Sequence, residues 1–376
     1  FVYRTIEDLE AMQASGAKSK TGVVVGGGLL GLECAKALRD MGLETHVVEF
    51  APRLMAVQVD EGGGRVLKAK IEELGVQVHT GRNTQEITDG ARARHRMKFA
   101  DDSYLETDMI VFSAGIRSRD ELARQCLLAI GPRGGVAIDS ACRTSDHNVY
   151  AIGECASWNE QTFGLVAPGY DMARVAARHI AGEVDAAFVG ADMSTKLKLM
   201  GVDVASIGDA HGKTPHSRSC QYVDERRQVY KKIVISEDGK QLLGAVLIGD
   251  ATEYGTLLQM ALNGITLPED PEFLIFPSSD GKSKPGLGVD ALPDTAQICS
   301  CNNVTKGGIC EAVGNGACTI AEMKACTKAG ATCGGCVPLV TQVMKVEMAR
   351  RGMAVNNHIC EHFAYSRQEI YHLVRV

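Results

Sequence analysis

Three glycines and one acid near the N-terminus are spaced as a dinucleotide-binding loop requires. Gly26, Gly28 and Gly31 fit the pattern G-x-G-x-x-G, and Glu49 follows at the distance where such loops place an acid. The first glycine permits a tight turn, the second lets a pyrophosphate approach the backbone, and the third lets a helix pack close to a strand. The acid can accept the ribose hydroxyls of a dinucleotide. The alternative is an ordinary glycine turn in an α/β domain.

Two cysteine pairs near the C-terminus form a second group of residues that could do chemistry. Cys299 and Cys301 form C-x-C, and after 31 intervening residues Cys333 and Cys336 form C-x-x-C. Four thiolates suit either a [2Fe–2S] cluster or a structural Zn²⁺ ion, and the spacing alone leaves both open. The glycines between Cys333 and Cys336 leave backbone N–H groups available to cluster sulfurs.

The elements that position the glycine loop follow from the apolar pattern. Val23–Val25 predicts a buried strand, Leu29–Met41 a helix and Glu44–Glu49 a second strand. Asp108–Ser113 predicts another buried strand, and the small residues that follow it, ending at Gly115, let a loop pass close to a bound cofactor. Since strand, turn, helix, strand and acid all agree, the pattern favours a dinucleotide site over an ordinary turn.

A second cofactor signal lies further along the chain. Val149–Ile152 predicts a buried strand that is followed directly by Gly153 and Glu154. A carboxylate at that position could bond a hydroxyl chain or a phosphate-linked group, or it could be a simple strand-end acid. The helix predicted over Pro168–Ile180 has an N-terminus that could face a ring carbonyl or an anion.

Composition limits the class of protein. The chain has 376 residues, 45% of them hydrophobic, with a formal net charge of −6, which argues against nucleic acid as a partner. No apolar run approaches 18 residues, so we expect no membrane span. Thirteen cysteines without a secretion signal predict reduced thiols or metal ligands in a cytoplasmic protein. Because the sequence starts at Phe1, without an initiator Met, we expect it to be part of a longer chain.

Residues 21–190 resemble the flavoprotein reductases in which a nicotinamide domain is inserted into a discontinuous FAD domain. Glu33 matches an acid that this family places near the nicotinamide, and Pro168 matches a helix start that faces the flavin. The family's own FAD-binding glycine motif does not occur before Gly26, so we expect a half-present FAD site that retains little FAD. Nine residues are therefore predicted to contact NAD(P)H or FAD: Gly26, Gly28, Gly31, Glu33, Glu49, Gly115, Gly153, Glu154 and Pro168.

The cysteine-rich segment Ile298–Met353 is similar to the [2Fe–2S] domain of the bacterioferritin-associated-ferredoxin type. This resemblance favours iron–sulfur over zinc, and it implies that all four cysteines of the two pairs are the ligands. Residues 193–275 resemble the C-terminal interface domain of the same flavoprotein reductases.

We therefore predict an α/β protein with a Rossmann-like NAD domain inserted in a truncated FAD domain, an α+β interface domain and a small helical [2Fe–2S] domain. The predicted boundaries are 1–20 for an entry helix and linker, 21–135 for the NAD(P)H-binding domain, 136–190 for the C-terminal part of the FAD domain, 193–275 for the interface domain, 276–297 for a linker, 298–353 for the [2Fe–2S] domain and 354–376 for the start of a truncated further module.

The chain as a whole resembles the large-subunit family of bacterial assimilatory NAD(P)H nitrite reductases, through Thr195–Leu199, Asn302–Lys306, Thr332–Cys336 and Glu361–Ser366. The resemblance implies an electron path from NADH to FAD to [2Fe–2S], and then to a domain, absent here, whose sirohaem and [4Fe–4S] cluster reduce nitrite to ammonium. A small nitrite reductase subunit is a possible partner. No residue of this chain is predicted to be catalytic, because the protein need only position and tune its cofactors.

Two other functions stay open at this stage. One is an NADH-dependent ferredoxin or rubredoxin reductase with a fused cluster, and the other is a non-enzymatic redox sensor that binds nucleotide and zinc or a labile cluster. The negative charge of Glu49 favours NADH over NADPH, because it would repel a 2′-phosphate, although Arg53 nearby could offset that effect.

Overall fold

The fold was obtained as a computed structural model, which describes residues 1–276, 288–299, 301–332, 334–355, 358–360 and 363–374. The chain divides into two compact units. The first comprises Phe1–Asp238 and Leu243–Tyr254, and the second comprises Gly239–Leu242 and Gly255–Val376. None of the helices in the described ranges combines the length and apolar character that crossing a bilayer requires.

A parallel four-stranded sheet is the centre of the first 125 residues. The elements in this part are α1 (Ile6–Gly16), β1 (Thr21–Val25), α2 (Leu29–Asp40), β2 (Glu44–Glu49), α3 (Glu61–Glu73), β3 (Val76–Thr80), β4 (Thr84–Asp89), β5 (His95–Phe99), β6 (Tyr104–Thr107), β7 (Met109–Phe112) and α4 (Glu121–Gln125). The sheet order is β3-β2-β1-β7, and each neighbouring pair is parallel. Strands β4, β5 and β6 form a separate antiparallel sheet.

The valine runs explain why β1 and β2 lie at the middle of the parallel sheet. Val23, Val24 and Val47 have no exposed surface. β-Branched residues that are buried on both faces of a strand are typical of parallel sheets covered by helices. Helix α2 connects β1 to β2, so the predicted strand, glycine turn, helix and strand are confirmed in the order the sequence indicates.

The region that follows contains less regular structure than predicted. Its elements are β8 (Val136–Ile138), a 3₁₀ turn at Gly153–Cys155, β9 (Ala156–Trp158), β10 (Gln161–Thr162) and α5 (Val166–Ile180). The buried strand predicted over Val149–Ile152 is wrong. Tyr150 makes a single bridge to Arg143, and Ile152 is 41% exposed. The backbone of this segment bonds instead to the turn before it, because the Ala151 N–H donates to the carbonyl of Cys142.

An antiparallel sheet completes the first unit. Its strands are β11 (Thr195–Leu199), β12 (Val202–Gly208), β13 (Arg218–Asp224), β14 (Val229–Ile235) and β15 (Leu242–Ile248), in the order β11-β12-β15-β14-β13. The next helix, α6 (Tyr254–Leu262), belongs from Gly255 onward to the second unit. The apolar stretch Leu197–Ile207 forms a hairpin of β11 and β12 rather than one continuous strand. Met200 and Gly201 both adopt positive φ and turn the chain between β11 and β12.

The antiparallel sheet and the dinucleotide region share one hydrophobic core. Val204, Val246 and Ile248 from the sheet belong to the same buried cluster as Leu67 and Ile71 of α3. A buried polar contact joins the same two parts, since Asp60 at the start of α3 accepts hydrogen bonds from the Tyr230 hydroxyl at 2.8 Å and from Lys232 Nζ at 3.0 Å.

The second unit is a small helical module. It contains 3₁₀ turns at Pro271–Leu274 and Val289–Ala291, then β16 (Gln297–Cys299), β17 (Val304–Thr305), α7 (Lys306–Gly314), α8 (Ile320–Thr327), α9 (Val337–Arg350), β18 (His358–Cys360), β19 (Phe363–Ser366) and α10 (Arg367–Val374). Ile309, Val313, Met323, Val340 and Val343 form its buried centre. Residues 277–287 of the predicted linker lie outside the described residues.

Candidate functional site

A cleft of about 830 Å³ opens at the carboxyl end of the parallel sheet. The ends of parallel strands meet at one edge of a sheet, and ligands of open α/β folds bind there. The cleft is lined by residues at the ends of β1, β2 and β7, by the segment between β3 and β4, and by β4; among them are Gly26, Gly28, Val48, Glu49, Phe50, Arg82, Asn83, Thr84, Phe112, Ser113, Ala114 and Gly115. Four of the nine residues predicted to bind cofactors, Gly26, Gly28, Glu49 and Gly115, therefore come together.

The three glycines of the loop have different steric roles. Gly26 has a φ of +114°, and a Cβ there would lie 2.3 Å from the carbonyl oxygen of Ser113. A Cβ on Gly31 would lie 1.9 Å from the carbonyl oxygen of Gly26, so α2 packs directly against the turn. A Cβ on Gly28, the residue that precedes the first turn of α2, would point into open space. This open space next to a helix N-terminus is where a phosphate group can approach unpaired N–H groups.

The Glu49 carboxylate is held by the backbone on both of its oxygens. Its Oε2 accepts the Gly27 N–H at 2.5 Å, and its Oε1 accepts the Ala51 N–H at 2.6 Å. An ionised carboxylate has about four acceptor positions, so two remain for a ligand's hydroxyl groups. Glu49 is half-buried on the cleft wall. It therefore fixes the shape of the glycine turn and still presents acceptors to the cleft.

Two arginines near the cleft differ in where their charge lies. Arg53 donates from Nε to the carbonyl of Val59 at 2.8 Å, and it is not among the residues that line the cleft. Arg82 does line the cleft, and it bonds Asp101 on the strand-connecting turn. The sequence reasoning considered Arg53 and missed Arg82. Its position two residues after β3 was the available signal, since the other three strands of the sheet also end at this edge.

Thr84 is another cleft residue that the sequence reasoning missed. Its hydroxyl oxygen is buried and has no hydrogen-bond partner in the part of the chain that the structure describes. It lies at the start of β4, a strand that was not predicted. An unpaired hydroxyl on a cleft wall is a hydrogen-bonding position for a ligand.

Glu33 lies on the exposed face of α2 and does not line the cleft. Burial raises the pKa of Tyr3, and the charge of Glu33 acts in the same direction. The role predicted for Glu33 beside a nicotinamide stays a prediction.

The three residues predicted to contact FAD meet at the start of α5. Gly153 adopts a positive φ, and a Cβ on Gly169 would lie 3.2 Å from the Gly153 Cα, so the turn rests against the first turn of the helix. Pro168 is buried at this contact. The Glu154 side chain is 41% exposed and forms an ion pair with Arg4 at 3.3 Å. The turn, the acid and the helix start are thus close together, and their contact with FAD stays a prediction.

The structure describes three of the four cysteines that are predicted to ligate the cluster. The fourth, Cys333, lies outside the described residues. Cys299 ends β16 and is buried, Cys301 lies in the following turn, and Cys336 immediately precedes α9. A hydrogen bond from the Cys336 thiol lowers the pKa of Cys299, and N–H groups of Gly330 and Asn302 act in the same direction against burial. Thiolates are the form that binds metal, so this donor set suits a cluster.

Buried cysteines elsewhere show the opposite behaviour. Burial raises the pKa of Cys34 to about 12 and that of Cys142 to about 11. These thiols are packed in apolar surroundings, where the neutral form is favoured. Within the described ranges, no group of three or more metal-ligating side chains is arranged around a single point. The two cysteine pairs are nevertheless brought together at Cys299 and Cys336.

Family models match three successive parts of the chain. Residues 1–179 match the model of pyridine nucleotide-disulphide oxidoreductases. Residues 194–265 match the C-terminal domain of rubredoxin NAD⁺ reductases, and residues 297–345 match the BFD-like [2Fe–2S] binding domain. The predicted resemblances to the flavoprotein reductases and to the bacterioferritin-associated-ferredoxin domain are confirmed.

Relatives of known function cover the whole chain. The large subunit of NADH nitrite reductase from Escherichia coli K12 is 61% identical over 377 residues, which is 100% of this chain and 44% of the relative. The NAD(P)H nitrite reductase of Emericella nidulans is 41% identical, over 100% of this chain and 37% of the relative. The chain thus spans less than half the length of these relatives. The predicted resemblance to nitrite reductase large subunits is confirmed.

Solved structures confirm the fold of the reductase part. A ferredoxin reductase from Rhodopseudomonas palustris superposes with a TM-score of 0.63 at 23% identity, covering 74% of this chain and 68% of that chain. The reductase region thus matches the pyridine nucleotide-disulphide oxidoreductases, and the cysteine module matches a [2Fe–2S] binding domain. The iron–sulfur assignment is therefore favoured over zinc. The individual residues that hold each cofactor remain predictions.

Proposed function

We propose that residues 1–376 are the electron-entry portion of an NAD(P)H nitrite reductase large subunit. The observation that carries this proposal is the presence of a dinucleotide cleft and a cysteine module in one chain. This chain aligns over its full length with part of such a subunit. We propose for this portion the same domain boundaries that the sequence predicts.

The cleft at Gly26 and Glu49 binds NADH. The open space beside Gly28 admits the pyrophosphate to the N-terminus of α2, and the free acceptor positions of Glu49 take the ribose hydroxyls. NADH is preferred over NADPH, because the carboxylate repels a 2′-phosphate and because Arg53 bonds the Val59 carbonyl outside the cleft. Gly115 ends the opposite wall and allows a close approach of the ligand.

The remaining predicted residues hold the redox groups. Gly153, Glu154 and Pro168 lie on the flavin side, and Cys299, Cys301, Cys333 and Cys336 ligate the [2Fe–2S] cluster. When bound, the flavin accepts the two electrons of a hydride and the cluster takes them one at a time, which is why both groups are needed. The chain's own residues bind, orient and shield these redox groups. No general acid or base is required of them.

Nitrite is the final electron acceptor in the full-length enzyme. Its reduction to ammonium takes place at sirohaem and a [4Fe–4S] cluster outside these residues, with a small subunit as a possible partner. The thirteen cysteines and the reduced state that a cluster domain needs support a cytoplasmic location.

The test uses the full-length enzyme and two electron donors. Cys299→Ser should abolish NADH-driven nitrite reduction and leave nitrite reduction by a reduced viologen dye in place, because the dye supplies electrons beyond the cluster. Cys326→Ser is the matched control, since Cys326 is an exposed cysteine of the same module. Full NADH-driven activity in Cys299→Ser would overturn the proposed electron path.

A rubredoxin reductase is a second candidate, because residues 194–265 match the C-terminal domain of those enzymes. The Alcanivorax borkumensis rubredoxin-NAD⁺ reductase is 28% identical over 70% of this chain and 67% of its own length. NADH-driven reduction of added rubredoxin that is equally fast in Cys299→Ser and in the parent enzyme would favour this candidate.

A further inference from the structure

Asn302 connects the two loops that carry the cysteine pairs. Its side-chain Nδ2 donates to the carbonyl of Lys328 at 2.8 Å and to the Thr332 hydroxyl at 3.0 Å, and it lies 3.8 Å from Cys299 Sγ. Asn302 itself follows Cys301, whereas Thr332 directly precedes Cys333 in the sequence. One amide therefore reaches from the first cysteine pair to the segment that leads into the second.

The surrounding partners fix which way this amide points. The Lys328 carbonyl can only accept, so the atom that faces it must be the NH₂ group. The Thr332 hydroxyl also lies 3.4 Å from Asn302 Oδ1, where it can donate in return. Lys328 adopts a left-handed conformation that ends α8 and turns its carbonyl into this contact. The orientation of Asn302 is thus determined by fixed backbone on the opposite loop.

The amide has two hydrogens and three nearby acceptors, and the sulfur is the farthest of them. A backbone N–H of Asn302 also contributes to the donors around Cys299. Hydrogen bonds to ligand sulfurs are one of the means by which proteins set the potential of an iron–sulfur cluster. A single residue at this position can therefore affect both the assembly of the site and its electronics.

We propose that Asn302 is a positioning residue of the [2Fe–2S] site, whose side chain clamps the two cysteine loops together and shares one amide N–H with the Cys299 sulfur. This inference rests on the proposed cysteine ligands. Removal of an outer-shell partner of this kind costs about 10- to 100-fold in metal affinity.

The experiment compares Asn302→Ala and Asn302→Asp with the parent chain after anaerobic cluster reconstitution. Iron release to a chelator should be about 10-fold faster or more in both variants. The midpoint potential of the cluster should move to a more negative value, because the lost N–H no longer stabilises the more negative reduced form. Asn303→Asp is the matched control, since Asn303 is exposed, has a φ of +51° and bonds Gln297 instead.

A second variant covers the case in which Asn302 substitutions prevent folding. Thr332→Val removes one partner of the clamp and leaves the amide beside Cys299, so it should speed iron release and leave the potential unchanged. Parent-like iron release and a parent-like potential in Asn302→Ala would overturn the clamp. If Asn302→Ala does not fold, parent-like iron release in Thr332→Val would overturn it instead. Cys299→Ser separates the two proposals, because a full iron and sulfide content in that variant would contradict the ligand assignment itself.

Discussion

The Gly27 N–H donates to Glu49 Oε2 across 2.5 Å, so the acid at the end of β2 is bonded to the glycine turn at the end of β1. These two strands are neighbours in the parallel sheet. The sequence pattern assigns Glu49 to a ligand, and the structure shows that it also closes the loop that the ligand enters. Substitution of Glu49 therefore acts on the shape of the site as well as on the contacts with NADH.

Glu49→Ala should weaken NADH binding more than the loss of one ligand contact would. The variant removes the acceptor of two backbone N–H groups, and hydrogen bonds to charged groups contribute about 1.5–3 kcal/mol each. We expect the dissociation constant for NADH to rise about 10-fold or more. Titration of the variant with NADH, followed by fluorescence, measures it. An unchanged dissociation constant would mean that Glu49 is only a strand-end acid.

Gly28→Ala and Gly31→Ala should separate binding from folding. A methyl group at position 28 enters open space, so the variant should fold normally and lose affinity for NADH, because the methyl occupies the place of the pyrophosphate. A methyl at position 31 meets the Gly26 carbonyl oxygen at 1.9 Å. Gly31→Ala should therefore lower the free energy of unfolding by about 1–3 kcal/mol.

Urea unfolding and NADH titration of both variants check this prediction. Gly42→Ala is not a suitable control, because Gly42 has a φ of +85°. Gly255→Ala is suitable, since a Cβ there meets nothing within 4 Å and its φ is ordinary. Equal stability losses in Gly28→Ala and Gly31→Ala would contradict the division of roles.

The helices and central strands could be predicted because their determinants are local. The helix predicted over Leu29–Met41 is α2, Leu29–Asp40, and the strand predicted over Glu44–Glu49 is β2. The strand predicted over Val149–Ile152 failed for the opposite reason. An apolar run becomes a buried strand only if neighbouring strands accept its hydrogen bonds, and the sequence alone does not show which neighbours it has.

The cleft was predictable at its glycines and not at its far wall. Gly26, Gly28, Glu49 and Gly115 follow a recognisable spacing, whereas Arg82 and Thr84 enter the site only because β3 and β4 end and begin at the same sheet edge. The contact of Asp60 with Lys232 was equally hidden from the sequence. These residues are far apart in the chain and are joined by tertiary packing.

Asp60→Asn should destabilise the first unit. The side chains of Asp60 and Lys232 are only 14% and 9% exposed, so the substitution leaves a buried ammonium without its carboxylate. Asparagine still caps α3, because it can accept the Gly63 N–H as Asp60 does. Breaking a buried pair in this way costs about 3–5 kcal/mol.

Urea unfolding measures this loss, and the double variant Asp60→Asn/Lys232→Met should recover part of it by removing the stranded charge. Asp102→Asn is the matched control, since its pair with Lys98 is exposed and should matter little. A double variant as unstable as the single one would show that the lost stability comes from the Tyr230 contact rather than from the charge.

The histidine pair on β2 and β3 should make the first unit less stable in acid. His46 Nδ1 lies 3.1 Å from His79 Nε2, and His46 is buried. Burial lowers the pKa of His46, and the neighbouring His79 acts in the same direction. Burial also lowers the pKa of His79, together with the charges of Arg82 and Lys68 and against that of Glu72. The folded chain therefore prefers both rings neutral.

In the folded chain both histidine pKa values lie below the unfolded value of about 6.5. The two neutral rings therefore contribute their full stability to the folded state above that pH, and this contribution is lost as the pH falls through the folded pKa values. The free energy of unfolding should thus decrease between about pH 7.5 and 5.5. The decrease should be smaller in His46→Gln/His79→Gln than in the parent or in His147→Gln, which replaces an exposed histidine. Urea unfolding at several pH values measures these slopes, and equal slopes in all three proteins would rule out the pair as the cause.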